Sequence, residues 1–508
     1  MFKTFLVLTS TLMLTLQASS QKTVFSFQPV STPDLKKSFP YQSYIASDNK
    51  TGKTSIILKN STLAEYLLLD NSLRVEEKFQ APGGLMNTIF KVESYKYLDA
   101  NINNLGACYY FGVKDKTLNG GNGHIRMEVV DFKNKTVSNK MIFRVPDGQI
   151  TIDWFTSEGN FFLVSVNDKT NQIFFHVVDN NGNYFSKMIL ADFEWINQYK
   201  KKKLTLSEYF SYSYVFRSDE ETELIASTDL TKFYVYPGEL VIVVANYKEP
   251  PHIWRFDTRN FTLTSKMRLD MNGFVGFGEK EYFYANASVY ENNLYLLNTS
   301  KKKIEIGIFE LASGKLLKKH ELNESSTLSL AETPVEIISR GRTSKKNTIS
   351  SNKELLKELN AGSSGISLAQ NSQGQMILTC GVYDKEERTS GGYYAGGFSQ
   401  SSISTGATHA GSNIPVTRTY SNFNSMSNYK NGKAYMYTRT VNFKVTIDAT
   451  TLNIIESKEK FSSIDKVNKL LETIDQKSQA ENSFKKGGKY YICYYNSDNI
   501  TFSIQEVE

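Results

Sequence analysis

The feature that most limits how this chain folds is an acidic residue that closes the same kind of strand five times. Asp131 ends IRMEVVD, Asp179 ends IFFHVVD, Asp257 ends HIWRFD, Glu310 ends IEIGIFE and Asp448 ends FKVTID. An apolar run lies upstream of each, and a more polar strand lies downstream. The clearest downstream strand follows Asp257, where Phe261, Leu263, Met267 and Leu269 alternate with Thr262, Thr264, Lys266 and Arg268. Period-two alternation between polar turns marks antiparallel strands. An aspartate at such a strand end accepts hydrogen bonds from backbone N–H groups two residues on and so closes a tight turn. The recurring acid is therefore read as structural. A ring of calcium-binding carboxylates is the alternative, but Asp179-Asn180-Asn181-Gly182-Asn183 lacks the terminal glutamate that a calcium loop requires.

The fullest copy of the unit runs from Asn292 to Leu322. Leu294 to Leu297 form an apolar run, and Ile304, Ile306 and Ile308 share one face of the next strand. A Ser-Gly turn follows, then a strand carrying Leu316 and Leu317. Three less regular units extend the series: Gln42 to Phe79, Gln375 to Phe398, and a final hairpin from Gly488 to Val507. The acids recur at intervals from roughly fifty to nearly eighty residues, with one longer gap. Units of about 40–50 residues with several strands each, lengthened by loop insertions, are the size of propeller blades. Repetition around an axis also protects the strand edges of so long an all-β chain. The expectation is a β-propeller of about seven blades (six to eight). Phe and Tyr, at 32 and 30 residues against 3 Trp, fit a strand-rich chain.

Two stretches carry helical spacing instead. Asn352 to Asn360 places Leu355, Leu356 and Leu359 on one face. From Ser463 to about Phe484, Ile464, Val467, Leu470, Leu471 and Ile474 recur at helical intervals. Both are read as short surface packing helices. Residues 390–432 change character: Gly, Ser and Asn dominate, with Tyr393, Tyr394, Phe398, Tyr420, Phe423 and Tyr429 scattered among them. That composition buries little apolar surface and reads as a flexible insertion in a blade. A binding loop with stacking tyrosines is its functional alternative.

The N-terminus has the form of an export signal. Lys3 supplies a positive charge, Phe5 to Leu16 a short apolar core, and Ala18-Ser19-Ser20 a cleavage site. The core is too short to span a bilayer, and no later segment is apolar enough. The expectation is a signal peptide over residues 1–20, then one propeller-like domain over 21–508, secreted or periplasmic after cleavage near Ser20. Cys108, Cys380 and Cys493 each sit in an apolar strand and are read as buried small hydrophobes, with a single disulfide as the alternative. The net charge is +7. Its lysine runs, Lys200 to Lys203 and Lys301 to Lys303, fall in turns without aromatic platforms, so no nucleic-acid partner is expected.

Catalytic signatures are not legible. His124, His176, His252, His320 and His409 are far apart and lack metal-ligand spacing. Gly362-Ser363-Ser364-Gly365 only approximates a nucleophile elbow, and Gly273 to Gly278 has the wrong glycine order for a dinucleotide site. A distant carboxylate pair for glycoside cleavage stays open. Trp154, Trp195 and Trp254 are read as core residues. No residue is assigned a catalytic, cofactor-binding or metal-ligating role.

The repeats, WRFDTRNFTLTSKM and IFELASGKLLKKHEL among them, resemble blades of exported bacterial β-propeller proteins. The resemblance implies a fold and no catalytic residues, because WD40, kelch and quinone-docking signatures are missing. The leading reading is an exported, monomeric scaffold that binds a protein or glycan through loops on one face. The alternative is a propeller-type hydrolase or lyase acting on carbohydrate or peptide at the central channel. A structural component of a surface assembly is a third reading. Carboxylates or a His–acid pair converging on the axis favour the enzyme.

Overall fold

The computed structural model describes residues 22–507 apart from 30–41, 83–93, 115–122, 192–195, 198–201, 246–249, 275–282, 326–335, 341–344, 390–433, 458–461, 497–500 and some shorter breaks. The described chain forms seven sheets of four or more strands, antiparallel apart from one parallel pair in the fourth. Blade 1 covers residues 42–82, blade 2 94–144, blade 3 150–190, blade 4 213–268, blade 5 283–323 and blade 6 336–455. Blade 7 combines residues 478–507 with Lys22–Phe27, which pairs antiparallel with Thr501–Val507 and sets Phe27 opposite Phe502. The two ends of the described chain thus meet in one sheet and close a ring.

The first strand of each meander faces the axis. Gln42–Asp48 touches both Ser94–Asn103 and Ser478–Lys486, and Ile150–Ser157 touches Ser94–Asn103 and Ser213–Arg217. Phe283–Tyr290 touches Ser363–Gln370 in the same way. The fold is an all-β, seven-bladed propeller, as the repeat pattern implies.

Burial follows from this stacking. Second and third strands are covered on both faces, as in Asn160–Asn167, whose interior positions are all buried. Fourth strands are half-wet, as in Thr262–Arg268, which alternates exposed and partly buried residues throughout. The apolar core therefore lies between blades. Phe155, Phe162 and Phe175 of blade 3 pack with Phe233, Trp254 and Phe256 of blade 4. Tyr295 and Ile306 of blade 5 pack likewise with Leu368 and Phe443 of blade 6. Each fully buried side chain of this kind stabilises by roughly 1.5–3 kcal/mol.

The recurring acids close turns. Asp179 accepts the N–H groups of Asn181 and Asn183 at 2.9 and 2.8 Å, and Asp257 those of Arg259 and Asn260 at 2.7 and 2.9 Å. Asp131 accepts from Asn134 at 3.0 Å and Asp448 from Thr451 at 2.7 Å. Glu310, one methylene longer, takes the Ser313 hydroxyl instead. These backbone bonds hold the Asp131, Asp257 and Asp448 carboxyls below the usual range. Asp70 does the same in blade 1, accepting from Ser72 and Arg74 at 2.8 Å each.

The helix over Asn352–Leu359 is present, with Leu355, Leu356 and Leu359 buried between blades 5 and 6. The second expected helix is shorter than its pattern. Ser463, Asp465–Val467 and Leu470 are helical, but Ser478–Lys486 is the inner strand of blade 7. Apolar spacing runs out at Ile474, and the following SQAENSFKK pairs with Lys489–Asn496. Cys108, Cys380 and Cys493 are free and buried. Trp154 and Trp254 are core residues, while Trp195, His409 and the 390–432 insertion lie outside the described residues. Among the described residues no helix is long and apolar enough to cross a membrane.

Candidate functional site at the axis

In five blades the axial strand of the meander carries a polar residue four positions before its end. These are Asp99, Asp153, Lys232, Asn286 and Asn482, in blades 2, 3, 4, 5 and 7. A bulge just before Asp99, Asp153 and Asn482 re-aims the side chain. Asp99, Asp153 and Asn286 share a local bond, each accepting the N–H of the next residue at 2.9, 2.9 and 2.8 Å. Sequence reading passed over these positions, although DANIN, DWFTS and NASVY repeat an acid or amide at the same distance from the turn.

Blade 4 departs from the others. Ser213–Arg217 adds a fifth strand on its axial side, parallel to Thr231–Tyr236. A parallel partner requires a crossover, and residues 218–230 supply it, including the short helix Leu224–Ser227. This crossover spans the axis. Thr222 donates its N–H to the Leu368 carbonyl of blade 6 at 3.2 Å, and its hydroxyl accepts the Leu368 N–H at 2.8 Å. The Glu221 N–H reaches the Tyr490 hydroxyl of blade 7 at 2.9 Å. In the other direction, Arg217 Nη2 lies 3.2 Å from Asp99 of blade 2 and donates to Thr156 of blade 3 at 3.0 Å.

A buried ionic cluster anchors the crossover. Lys232 Nζ donates to the Asp229 carbonyl at 2.7 Å and to Asn286 Oδ1. Asn286 Nδ2 donates to the carbonyls of Ser364 at 2.7 Å and Thr228 at 3.2 Å, tying blades 4, 5 and 6 together. Burial pushes the Asp229 carboxyl up to about 7, against the pull of Lys232 and with the help of Asp153. Burial also pushes the Lys232 ammonium down to about 7, against Asp229. Groups poised near neutrality are the kind that pass protons in catalysis. Here Lys232 and Asn286 are fully enclosed and Asp153 is 2% exposed. The cluster acts as a polar lock on the chain that lies across it.

Of the nucleophile-elbow near-match, Ser363 to Gly365 lie at the start of the axial strand of blade 6, Ser363–Gln370, and Gly362 is outside the described residues. A Cβ on Gly365 would stand 2.8 Å from Ser227 Oγ and Thr228 Cγ2, so glycine admits the crossover helix. Ser165 and His176 form a nucleophile–base-like pair, 3.0 Å apart. Ser165 Oγ also donates to Gln149 at 2.7 Å, and the ring stacks on Phe143. Burial holds the imidazole down at about 4, so at neutral pH it is a neutral core group, as its strand context implies. Among the described residues no three His, Cys, Asp or Glu side chains converge as a metal site would.

No family model matches the chain, and no curated protein matches it. Similar solved structures include the N-terminal domain of Nup159, at 8% identity and a TM-score of 0.32, covering 96% of this chain and 94% of that one. The Dos1 propeller aligns at 8% identity and a TM-score of 0.27, covering 71% and 83%. A prolyl endopeptidase aligns at 11% identity and a TM-score of 0.29, over 68% of this chain and 47% of the peptidase. The chain therefore spans about half the peptidase's own length.

Proposed function

We propose that the chain is a non-enzymatic propeller scaffold, exported after cleavage near Ser20, that binds a protein or glycan partner through loops at one end. The observation that carries this reading is the crossover from blade 4. It lies across the axis, where a propeller-type hydrolase would need open space, and it bonds to blades 6 and 7. Tight turns at one end bond to one another. Asn104 Nδ2 donates to Asn181 Oδ1 at 3.0 Å, and Arg259 pairs with Glu158 at 3.1 Å. The connections at the opposite end are the natural place for a partner.

One observation favours the rival hydrolase or lyase: the Asp229 carboxyl and the Lys232 ammonium, both poised near neutrality, converge at the axis. The test is a screen of purified residues 21–508 against a glycan array, envelope proteins and a panel of carbohydrate and peptide substrates. The scaffold reading expects a ligand that protects end loops from hydroxyl-radical labelling, with unchanged binding in Lys232→Met. Substrate turnover by the parent chain that Lys232→Met abolishes, with the variant still folded at the assay temperature, would sink it.

A further inference from the structure

Outer strands of propeller blades are open edges, and this chain blunts nearly all of them. Val75–Pro82, Thr136–Arg144, Thr262–Arg268, Leu316–Asn323 and Lys22–Phe27 are each broken by a bulge against their neighbour. The outer strand of blade 6, Lys345–Thr348, is only four residues long. Tyr184–Leu190 of blade 3 is the exception. It keeps an unbroken register with Gln172–Val178 over all seven residues.

The phase of that ladder shows what the edge offers. The Ala191 N–H bonds to the Asn171 carbonyl at 3.1 Å, so Phe185, Lys187 and Ile189 turn their backbone groups inward. Tyr184, Ser186, Met188 and Leu190 therefore turn N–H and C=O outward, and among the described residues no strand pairs with that side. Of these, Met188 and Leu190 hold apolar side chains largely in water, while the half-exposed Tyr184 stacks on Phe143 of blade 2. Tyr184 is 39% exposed, Met188 50% and Leu190 68%. Lys187, on the opposite face, is exposed, as are Lys140 and Arg144 on the neighbouring outer strand.

We infer that Tyr184–Leu190 is a docking edge for an extended segment of another protein, which adds a fifth strand to blade 3. The segment carries apolar residues at alternate positions, opposite Met188 and Leu190, and an acidic residue opposite Lys187. Main-chain bonds supply affinity in this mode of recognition and alternate side chains supply selection. The basic rim favours an acidic partner. A second copy of this chain is disfavoured, because the register that pairs all seven residues sets Lys187 against Lys187, and like charges directly opposite destabilise. This edge lies on the outer rim and does not rest on the end-loop reading above.

The test uses the full mature chain and three synthetic peptides. The first alternates valine and threonine around one central glutamate. The second replaces the glutamate by lysine, and the third is interrupted by proline. Amide hydrogen exchange is followed at Tyr184, Ser186, Met188 and Leu190. The glutamate peptide slows exchange at all four amides and the proline peptide at none. Ser186→Pro removes one outward N–H, leaves the inward ladder intact, and weakens binding about tenfold at an unchanged melting temperature. Lys187→Glu, a surface change that keeps the fold if the proline variant does not, transfers the preference to the lysine peptide. The inference is overturned if the four amides stay unprotected at saturating peptide. It is equally overturned if glutamate and lysine peptides protect alike, or if protection rises with protein concentration alone.

Discussion

The axis and the rim of this propeller use the same kinds of charged side chain to opposite ends. At the axis, Lys232 is fully enclosed and spends its donors on Asn286 and the Asp229 carbonyl. On the outer strands of blade 5, Lys303 and Lys319 stand between Glu305 and Glu321 at 2.6–3.0 Å, with Lys319 4.7 Å above the Phe274 ring. Both lysines there are pushed up rather than down, and they hold the Glu321 carboxyl at about 2. The difference is pairing: Glu305 is as buried as Lys232, but it stands between two lysines, which with Glu321 keep part of their surface in water. A charge so matched is stabilised by its neighbours of opposite sign. An enclosed charge must be matched closely or it destabilises the fold. The axis therefore fixes one arrangement of the crossover, and the rim keeps an edge soluble.

Removing one partner from each place breaks that comparison. Lys232→Ala leaves Asp229 without its counter-charge and Asn286 Oδ1 without its donor, and denaturant unfolding is expected to show a loss of about 3–5 kcal/mol. A loss under about 1 kcal/mol would mean the cluster holds nothing. His176 offers an enclosed titratable group held by neutral neighbours. Its imidazole titrates at about 4 in the fold, against 6.5 for the unperturbed group. The unfolded chain takes up a proton that the fold refuses, so its contribution is complete above pH 6.5 and drains away as pH falls toward 4. Integrated over that window the loss is about 3 kcal/mol. His176→Gln should unfold less steeply than the parent between those pH values, and an identical slope would contradict the assignment.

Gly365→Ala comes next, because a methyl group 2.8 Å from Ser227 and Thr228 must push the crossover helix away. Overpacking of this kind costs about 1–3 kcal/mol, read as a lower melting temperature with faster exchange at Thr222. The smallest effect belongs to the rim. Lys319→Ala should cost no more than about 1 kcal/mol, and less as salt is added. A larger or salt-independent loss would put blade 5's network in the same class as the axis.

The sequence announced local devices and concealed non-local ones. Turn carboxylates such as Asp179 and Asp257 bond within their own turns, so the blade rhythm was readable from spacing alone. Closure of blade 7 by Lys22–Phe27 was not, since its partner lies at the far end of the chain. Nor was Ser213–Arg217, whose parallel register is set by Thr231–Tyr236 beyond the crossover. Asp99, Asp153 and Asn286 did not stand out either, because their common place is set by the ends of strands in three different blades. The segment beyond Ile474 misled because helical spacing upstream carried the eye past the point where apolar residues stop.

Amide exchange at Glu221, Thr222 and Leu368 tests the axial crossover most directly. All three N–H groups bond across the axis, to Tyr490, Leu368 and Thr222 respectively. They should exchange as slowly as the core strands of blade 3 and accelerate together in Lys232→Ala. Free exchange of Glu221 and Thr222 in the parent chain, with the blades still protected, would mean that the axis is open and would return the central channel to the enzyme reading.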